Sequence, residues 1–211
     1  MLKENVEKLL ATIENKVRVV PATKTVAPEI INQLPNYGIS EAGENKVQEL
    51  LDKYDKVQGI SWHFIGNLQT NKVKYIVDKV VMIQSVDKIS LAEEIDKRCQ
   101  KINKIMDVLI EVNIGREESK GGVLIENFNE LKEFILSKKN LRLKGVMGVL
   151  PIDASDSLYK DIYQLQQSLQ KEVPYADILS CGMSDDYIKA IENGSNMIRP
   201  GSILFGKRIY V

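Results

Sequence analysis

The chain has 211 residues, 44% of them hydrophobic and 27% charged, which allows one globular domain with a sizeable core and excludes a disordered chain. Lysine plus arginine equals aspartate plus glutamate at 29 each, so no net field draws it to nucleic acid or an anionic membrane. The N-terminus is charged throughout, no apolar run reaches the ~18 residues of a membrane span, and Cys99 and Cys181 offer neither a disulfide framework nor metal-ligand spacing; these features predict a soluble, cytoplasmic protein.

An opening helix is predicted near Leu2–Asn15, followed by short β-branched runs at Val17–Thr23, Gly38–Ser40, Ile60–Ile65, Val80–Gln84, Asp107–Asn113, Leu141–Val149, Ala176–Cys181 and Asn196–Arg199. Amphipathic helical patterns alternate with them at Glu44–Tyr54, Thr70–Val77, Asp87–Ile102, Leu124–Leu136, Ser157–Glu172 and Asp185–Asn193. Pro28 suits a first helical turn, and Asp87 and Asp185 suit N-caps. Strand followed by helix, about eight times over, predicts a (β/α)8 TIM-type barrel with an additional N-terminal helix, one domain over residues 1–211. An open doubly wound sheet fits the same periodicity.

Lys24 follows the first apolar run and belongs at the C-terminal end of the first strand, where barrels place their chemistry. Desolvation there favours a neutral amine, the form that attacks a carbonyl to make a Schiff base. Ser180-Cys181-Gly182-Met183-Ser184-Asp185-Asp186 ends the seventh strand and opens a helix. Arg199-Pro200-Gly201-Ser202 ends the eighth and leads into a short helix capped by Ser202. Each segment alone is equally a loop lysine, a helix cap or a tight turn. Together the two loops occupy the positions from which barrels commonly bind phosphate. In a closed barrel the eighth strand lies beside the first, so Lys24 is expected to face this cradle, with Asn45 completing the arc and Arg199 pointing inward. A phosphorylated aldehyde fits that arrangement.

His63, the single histidine, falls on the third strand, where it serves either an acid–base step or hydrogen-bonded packing. Trp62 is read as core and Cys181 as a small pocket-wall residue. Lys120, in Glu117-Glu118-Ser119-Lys120-Gly121-Gly122, is a second amine at the mouth or a solvated loop lysine. Asn71-Lys72-Val73-Lys74-Tyr75 is read as a wet helix face.

Seven segments in this order resemble the pyridoxal phosphate homeostasis proteins, single-domain relatives of the alanine racemase barrel domain. They are Thr23-Lys24-Thr25, Gly43-Glu44-Asn45-Lys46-Val47-Gln48-Glu49, Trp62-His63-Phe64-Ile65-Gly66-Asn67-Leu68-Gln69, Ser85-Val86-Asp87, Glu118-Ser119-Lys120-Gly121, Gly182-Met183-Ser184-Asp185-Asp186 and Arg199-Pro200-Gly201-Ser202. The resemblance implies pyridoxal 5′-phosphate (PLP) as cofactor, carried as a Schiff base on Lys24. It places Asn45 near the phenolic oxygen of the ring and Arg199 at the pyridine nitrogen, with Met183, Ser184, Gly201 and Ser202 on the phosphate. An arginine there only donates, so the ring nitrogen stays unprotonated and the ring is a modest electron sink. Ala42, Pro200 and Ser202 depart from the family's usual phenylalanine, branched aliphatic residue and threonine. Ser202 keeps the hydroxyl, while Pro200 removes one backbone donor.

The racemase relatives carry a second domain that supplies a tyrosine base, and nothing follows Val211 to do so here. The expected function is therefore PLP carriage in vitamin B6 homeostasis without dedicated turnover. The alternative is a weak PLP-dependent amino-acid racemase. A lysine-dependent aldolase and a pure interaction module are further readings. Partners are expected to be PLP and PLP-dependent enzymes, with no nucleic acid and no membrane, on a monomer or weak dimer.

Overall fold

The computed structural model describes residues 1–14, 16–117, 120–151 and 153–206. Helix α1 (Leu2–Thr12) precedes the short strand β1 (Arg18–Val19). Helix α2 (Pro28–Ile31) and a 3-10 turn (Leu34–Tyr37) lead to β2 (Glu41–Glu44) and α3 (Val47–Tyr54). Then come β3 (Ser61–Phe64), a 3-10 turn (Thr70–Tyr75), β4 (Val80–Val86), α4 (Ile89–Lys101), β5 (Met106–Val112) and α5 (Ile125–Leu136). The chain continues through β6 (Leu141–Gly148), α6 (Asp156–Glu172), β7 (Ile178–Ser180), α7 (Tyr187–Glu192), β8 (Met197–Ile198) and α8 (Ser202–Phe205). Among the described residues no helix is long and apolar enough to cross a membrane.

All eight strands are parallel, ordered β1-β8-β7-β6-β5-β4-β3-β2. Arg18 pairs with Met197 and Val19 with Ile198, setting the first strand beside the last. The remaining gap closes through a parallel bridge from Ala22 to Gly43, held by Thr23 N–H to Gly43 O at 3.0 Å and Gly43 N–H to Pro21 O at 2.8 Å. The sheet is a ring, and the open doubly wound alternative falls.

Side chains two apart on a strand share a face. Val20, Met82, Leu109, Met147, Ile178 and Met197 form a separate cluster inside the ring. The residues two further along four of these strands, Gln84, Glu111, Ser180 and Arg199, therefore also point inward, and they are polar. Apolar packing fills most of the lower barrel, with His63 set among it, and polar side chains crowd its upper end. The other apolar residues form the outer core between strands and helices, Trp62 among them at 2% exposure.

Several expectations shift. The second strand lies at Glu41–Glu44, not Gly38–Ser40, because Gly38 takes φ +83° and ends the preceding 3-10 turn, leaving the chain to pair with Ser61–Phe64 only afterwards. The stretch expected as a helix from Glu44 starts at Val47, since Glu44 belongs to the strand, and Thr70–Tyr75 winds as 3-10 rather than α. The opening helix ends at Thr12, and Asn15 lies outside the described residues. Pro28 does start a helix, α2. Asp87 and Asp185 are not N-caps: β4 runs on to Val86 and α4 is entered at Lys88, while α7 is entered at Asp186. Likewise Gly201, not Ser202, precedes α8.

Candidate functional site

Lys24 sits just past the bridge that closes the ring, half-buried, and among the described residues its amine has no hydrogen-bond or ion-pair partner. Its neighbours, by contrast, are fixed on both sides. Thr23, fully buried, donates through Oγ1 to Glu44 Oε1 at 2.6 Å, and its carbonyl accepts from Lys53 Nζ at 2.8 Å. Lys53 Nζ also pairs with Glu44 Oε1 at 2.7 Å, a buried ion pair in which both charges are satisfied by the same loop. On the other side Thr25 adopts φ +63°, a strained conformation for a β-branched residue, and its N–H donates to Glu49 Oε2 at 2.7 Å. Glu44 and Glu49 thus hold the backbone on either side of the lysine and leave its amine free.

The two loops expected to cradle an anion come together. Ser184 Oγ accepts from Gly201 N–H at 2.9 Å and Ile203 N–H at 3.2 Å, tying the loop after β7 to the start of α8. The N–H groups of Ser184 and Ser202 have no acceptor among the described residues. Met183 differs: its N–H is taken by Asp186 Oδ1 at 2.6 Å, and its side chain is exposed. Gly182 takes φ +102°, and a Cβ there would lie 2.8 Å from Ala190 Cβ, so the loop is tight against α7. Pro200 costs little, because the strand partner it serves needs only its carbonyl, which accepts from Ala22 N–H at 2.8 Å.

Lys24, Asn45, Met183, Ser184, Arg199, Gly201 and Ser202 line one cavity of ≈ 450 Å³ at the C-terminal strand ends. Ala22, Ile65 and Val149 add apolar walls. Arg199 is 3% exposed; its Nη1 donates to Ser180 O at 2.8 Å and Ser180 Oγ at 2.6 Å, and its Nη2 to Gly148 O at 2.9 Å. Nε–H and one Nη2–H remain without an acceptor among the described residues. Asn45 Oδ1 is buried and unpartnered. A free amine, unused amides, a buried guanidinium with spare donors and an orphaned amide oxygen fit a flat, phosphorylated, carbonyl-bearing group.

Glu111 and Asp185 were not legible as site residues. Glu111, on β5, carries a carboxyl pushed up to about 7 by burial and by the charge of Asp87, with Arg199 acting in the opposite direction. The signal for it was an acid interrupting the apolar run Val108-Leu109-Ile110-Glu111-Val112 at the end of a strand. Asp185 lines the cavity and is exposed.

Other candidates lie elsewhere. Lys120 is not among the lining residues: it donates to Leu150 O at 3.1 Å, next to the lining Val149, and pairs with Glu117 at 2.9 Å, and Glu118 and Ser119 of its motif lie outside the described residues. Cys181 is not a pocket-wall residue: it is buried behind the cavity, its thiol pushed up to about 12 by desolvation. His63 points into the barrel but lies below the cavity, fully buried, with Nδ1 3.0 Å from Gln84 Nε2. Lys72 and Lys74 flank the exposed Tyr75 ring, as a wet face should.

A closed parallel ring with a ligand-sized cavity over its C-terminal strand ends defines a (β/α)8-barrel protein whose business is at that mouth. Residues 1–208 match the alanine racemase N-terminal domain model. The chain is 46% identical over 204 residues to a pyridoxal phosphate homeostasis protein of Aquifex aeolicus, covering 93% of this chain and 90% of that one, and 34% identical to its namesake in Synechocystis, covering 95% and 96%. PipY of Synechococcus elongatus, solved with PLP bound, superposes with a TM-score of 0.89 at 24% identity over 98% of this chain and all of that one. Alanine racemase of Clostridium difficile superposes at 0.78 and 15% identity, this chain spanning 58% of it. The chain belongs to the alanine racemase N-terminal domain family and, within it, to the pyridoxal phosphate homeostasis proteins.

Proposed function

We propose that this protein binds PLP at the mouth of its barrel, carries it covalently on Lys24, and serves vitamin B6 homeostasis in the cytoplasm rather than a dedicated reaction. The observation that carries the reading is a lysine amine with no partner among the described residues and a pair of loops with unused amides, lining the same cavity. When bound, the ligand supplies an aldehyde that condenses with a neutral amine and releases water. The chain's own residues do the rest. Glu44, Lys53 and Glu49 hold the backbone around Lys24 so that the amine alone remains to react. Ser184 and Ser202 offer amides and hydroxyls to the phosphate, with Gly201 giving close backbone approach. Met183 contributes as a wall of the cradle, since its amide is already used by Asp186. Ile65 and Val149 exclude water from the ring faces, and Arg199 directs a donor toward the pyridine nitrogen without giving up its proton.

The test is a visible spectrum of the purified protein with added PLP, before and after borohydride, with the modified peptide identified by mass. The expected result is a yellow protein bleached by reduction, a reduced-PLP mass increment on Lys24, and no colour in Lys24→Ala. Saturating PLP that leaves the wild type colourless, or an adduct on another lysine, overturns the reading. PLP-dependent enzymes as recipients and a monomeric or weakly dimeric state remain part of the proposal; mixing PLP-loaded protein with a cofactor-free PLP enzyme should restore its activity faster than buffer-diluted PLP at equal free concentration.

A further inference from the structure

Arg199 is a buried cation that makes no ion pair among the described residues: its acceptors are two carbonyls and a hydroxyl, all neutral. Glu111 and Asp186 favour its charge only from beyond ion-pair reach, so the buried guanidinium lacks a direct carboxylate partner among the described residues. A run of polar side chains leads away from it through the apolar barrel. Arg199 Nη1 lies 2.6 Å from Ser180 Oγ, Ser180 Oγ 2.7 Å from Gln84 Oε1, Gln84 Nε2 3.0 Å from His63 Nδ1, and His63 Nε2 3.5 Å from Glu41 Oε1. Ser180, Gln84 and His63 are at most 1% exposed, while Glu41 reaches the opposite, N-terminal end of the strands, where Arg18 grips it through Nε and Nη2.

The direction of this run is fixed from both ends. A guanidinium only donates, so Ser180 Oγ accepts from Arg199 and its single proton must go onward. Only the oxygen of Gln84 can take that proton, which turns the amide nitrogen toward His63. Nδ1 is therefore an acceptor and the ring proton sits on Nε2, facing the Glu41 carboxylate. The reversed order would leave the serine proton without an acceptor and set a nitrogen lone pair against a carboxylate. In the order that remains, every dipole points its negative end at Arg199 and its positive end at Glu41.

We propose that Ser180, Gln84 and His63 are positioning residues that form one unidirectional hydrogen-bond run from Arg199 to the imidazole, whose buried Nε2 has no hydrogen-bond partner among the described residues but faces the Glu41 carboxylate at 3.5 Å, so that the charge at the base of the barrel orients the run that ends on the guanidinium at its mouth. The run holds Arg199 with its spare donors toward the cavity. Its consequence for the ligand rests on the PLP reading above, but the run itself exists without ligand. Burial would raise the Glu41 carboxyl, yet its neighbours His63 and Arg18 together hold it at about 2, so it keeps its charge facing the imidazole.

Because His63 is the single histidine, long-range ¹H–¹⁵N correlation of ¹⁵N-histidine-labelled, cofactor-free protein reports one ring. The expected wild-type pattern is a protonated Nε2 and a lone-pair Nδ1; a protonated Nδ1 overturns the proposal. Ser180→Ala lies two hydrogen bonds away from the ring and frees the Gln84 amide to turn, so the two nitrogen signals should exchange roles or average. If that variant does not fold, Gln84→Glu serves, since a carboxylate cannot donate to Nδ1 and draws the proton to it. Unchanged nitrogen shifts in the folded variant overturn the coupling. Glu41→Gln keeps an oxygen facing Nε2–H but removes the charge; PLP affinity is expected to fall about five- to tenfold, the low end of coupling between distant sites, and unchanged affinity overturns the orienting role of Glu41. A wild type that binds no PLP sinks the functional reading and leaves the NMR result to decide the run.

Discussion

Replacing Lys53 by methionine keeps much of the stem but removes the cation that faces Glu44, which is fully buried, and takes away the donor to the Thr23 carbonyl. Breaking a buried pair from one side typically costs about 3–5 kcal/mol, because the remaining charge has no water to return to. Lys53→Met should therefore lower the urea midpoint by a corresponding amount, and Lys53→Met with Glu44→Gln should recover part of it. Equal stability of the single variant and the wild type would mean the pair does not clamp the Lys24 loop. Glu111 gives a second, pH-dependent expectation. Its carboxyl is shifted from 4.5 up to about 7, so between these values the folded protein holds a proton that the unfolded chain has released. Stability contributed by this group is complete below about 4.5 and is lost as pH rises through about 7. Glu111→Gln should match the wild type in melting temperature at pH 4 and exceed it at pH 8; a gap that is the same at both pH values refutes the shift.

The turn from β3 into the following loop passes so close to the β2–α3 connection that a side chain does not fit. A Cβ on Gly66 would lie 2.2 Å from Asn45 O and 2.6 Å from Asn45 Cα, both backbone atoms that cannot swing away. Gly66→Ala must therefore push Asn45 outward, and with it one wall of the cavity. The expected outcome is PLP affinity at least tenfold weaker with a melting temperature only a few degrees lower, because the strands themselves are untouched. Affinity equal to wild type in a titration would place Asn45 outside the ligand's reach. The same stretch shows which signals a strand leaves in a sequence. Glu41-Ala42-Gly43-Glu44 reads as polar because two of its side chains serve polar partners, Glu41 at the base of the barrel and Glu44 at the Lys24 clamp. Its apolar periodicity is absent, and the preceding Gly38–Ser40 was the better-looking strand. That Lys24 and the loops after β7 and β8 meet at one cavity was legible because chain order and strand ends alone place them. Gln84, Ser180 and Glu111 were not, since a polar residue inside an apolar run acquires its meaning from the residue across the barrel.

Helix α8 is only four residues long, too short to cover the seam between β8 and β1. Helix α1 packs against α8 and the Leu34–Tyr37 turn. Val6, Leu9 and Ile13 are at most 5% exposed, and Asn5 Nδ2 donates to Leu204 O at 2.9 Å, bracing the segment that carries Ser202. Deleting residues 1–13 would remove three buried apolar side chains, each burial worth about 1.5–3 kcal/mol, and uncover the surface they pack on, against a typical total of about 5–15 kcal/mol. The truncated chain should melt about 10 °C lower or more and bind PLP less tightly. A truncation that melts with the full chain would reduce α1 to an appendage.

What the sequence determined by itself was the order of strands, the lysine at the first strand's end and the two loops at the last strands' ends, because those depend on local patterning and position along the chain. Tertiary structure alone decided that the sheet closes, through Ala22 and Gly43, and that Met183's amide is spent on Asp186 while Ser184's is not. It also decided that Arg199, Ser180, Gln84, His63 and Glu41 fall into one line. Contacts between residues dozens of positions apart leave no period in the chain; they exist only once the ring has brought eight strands around a common axis.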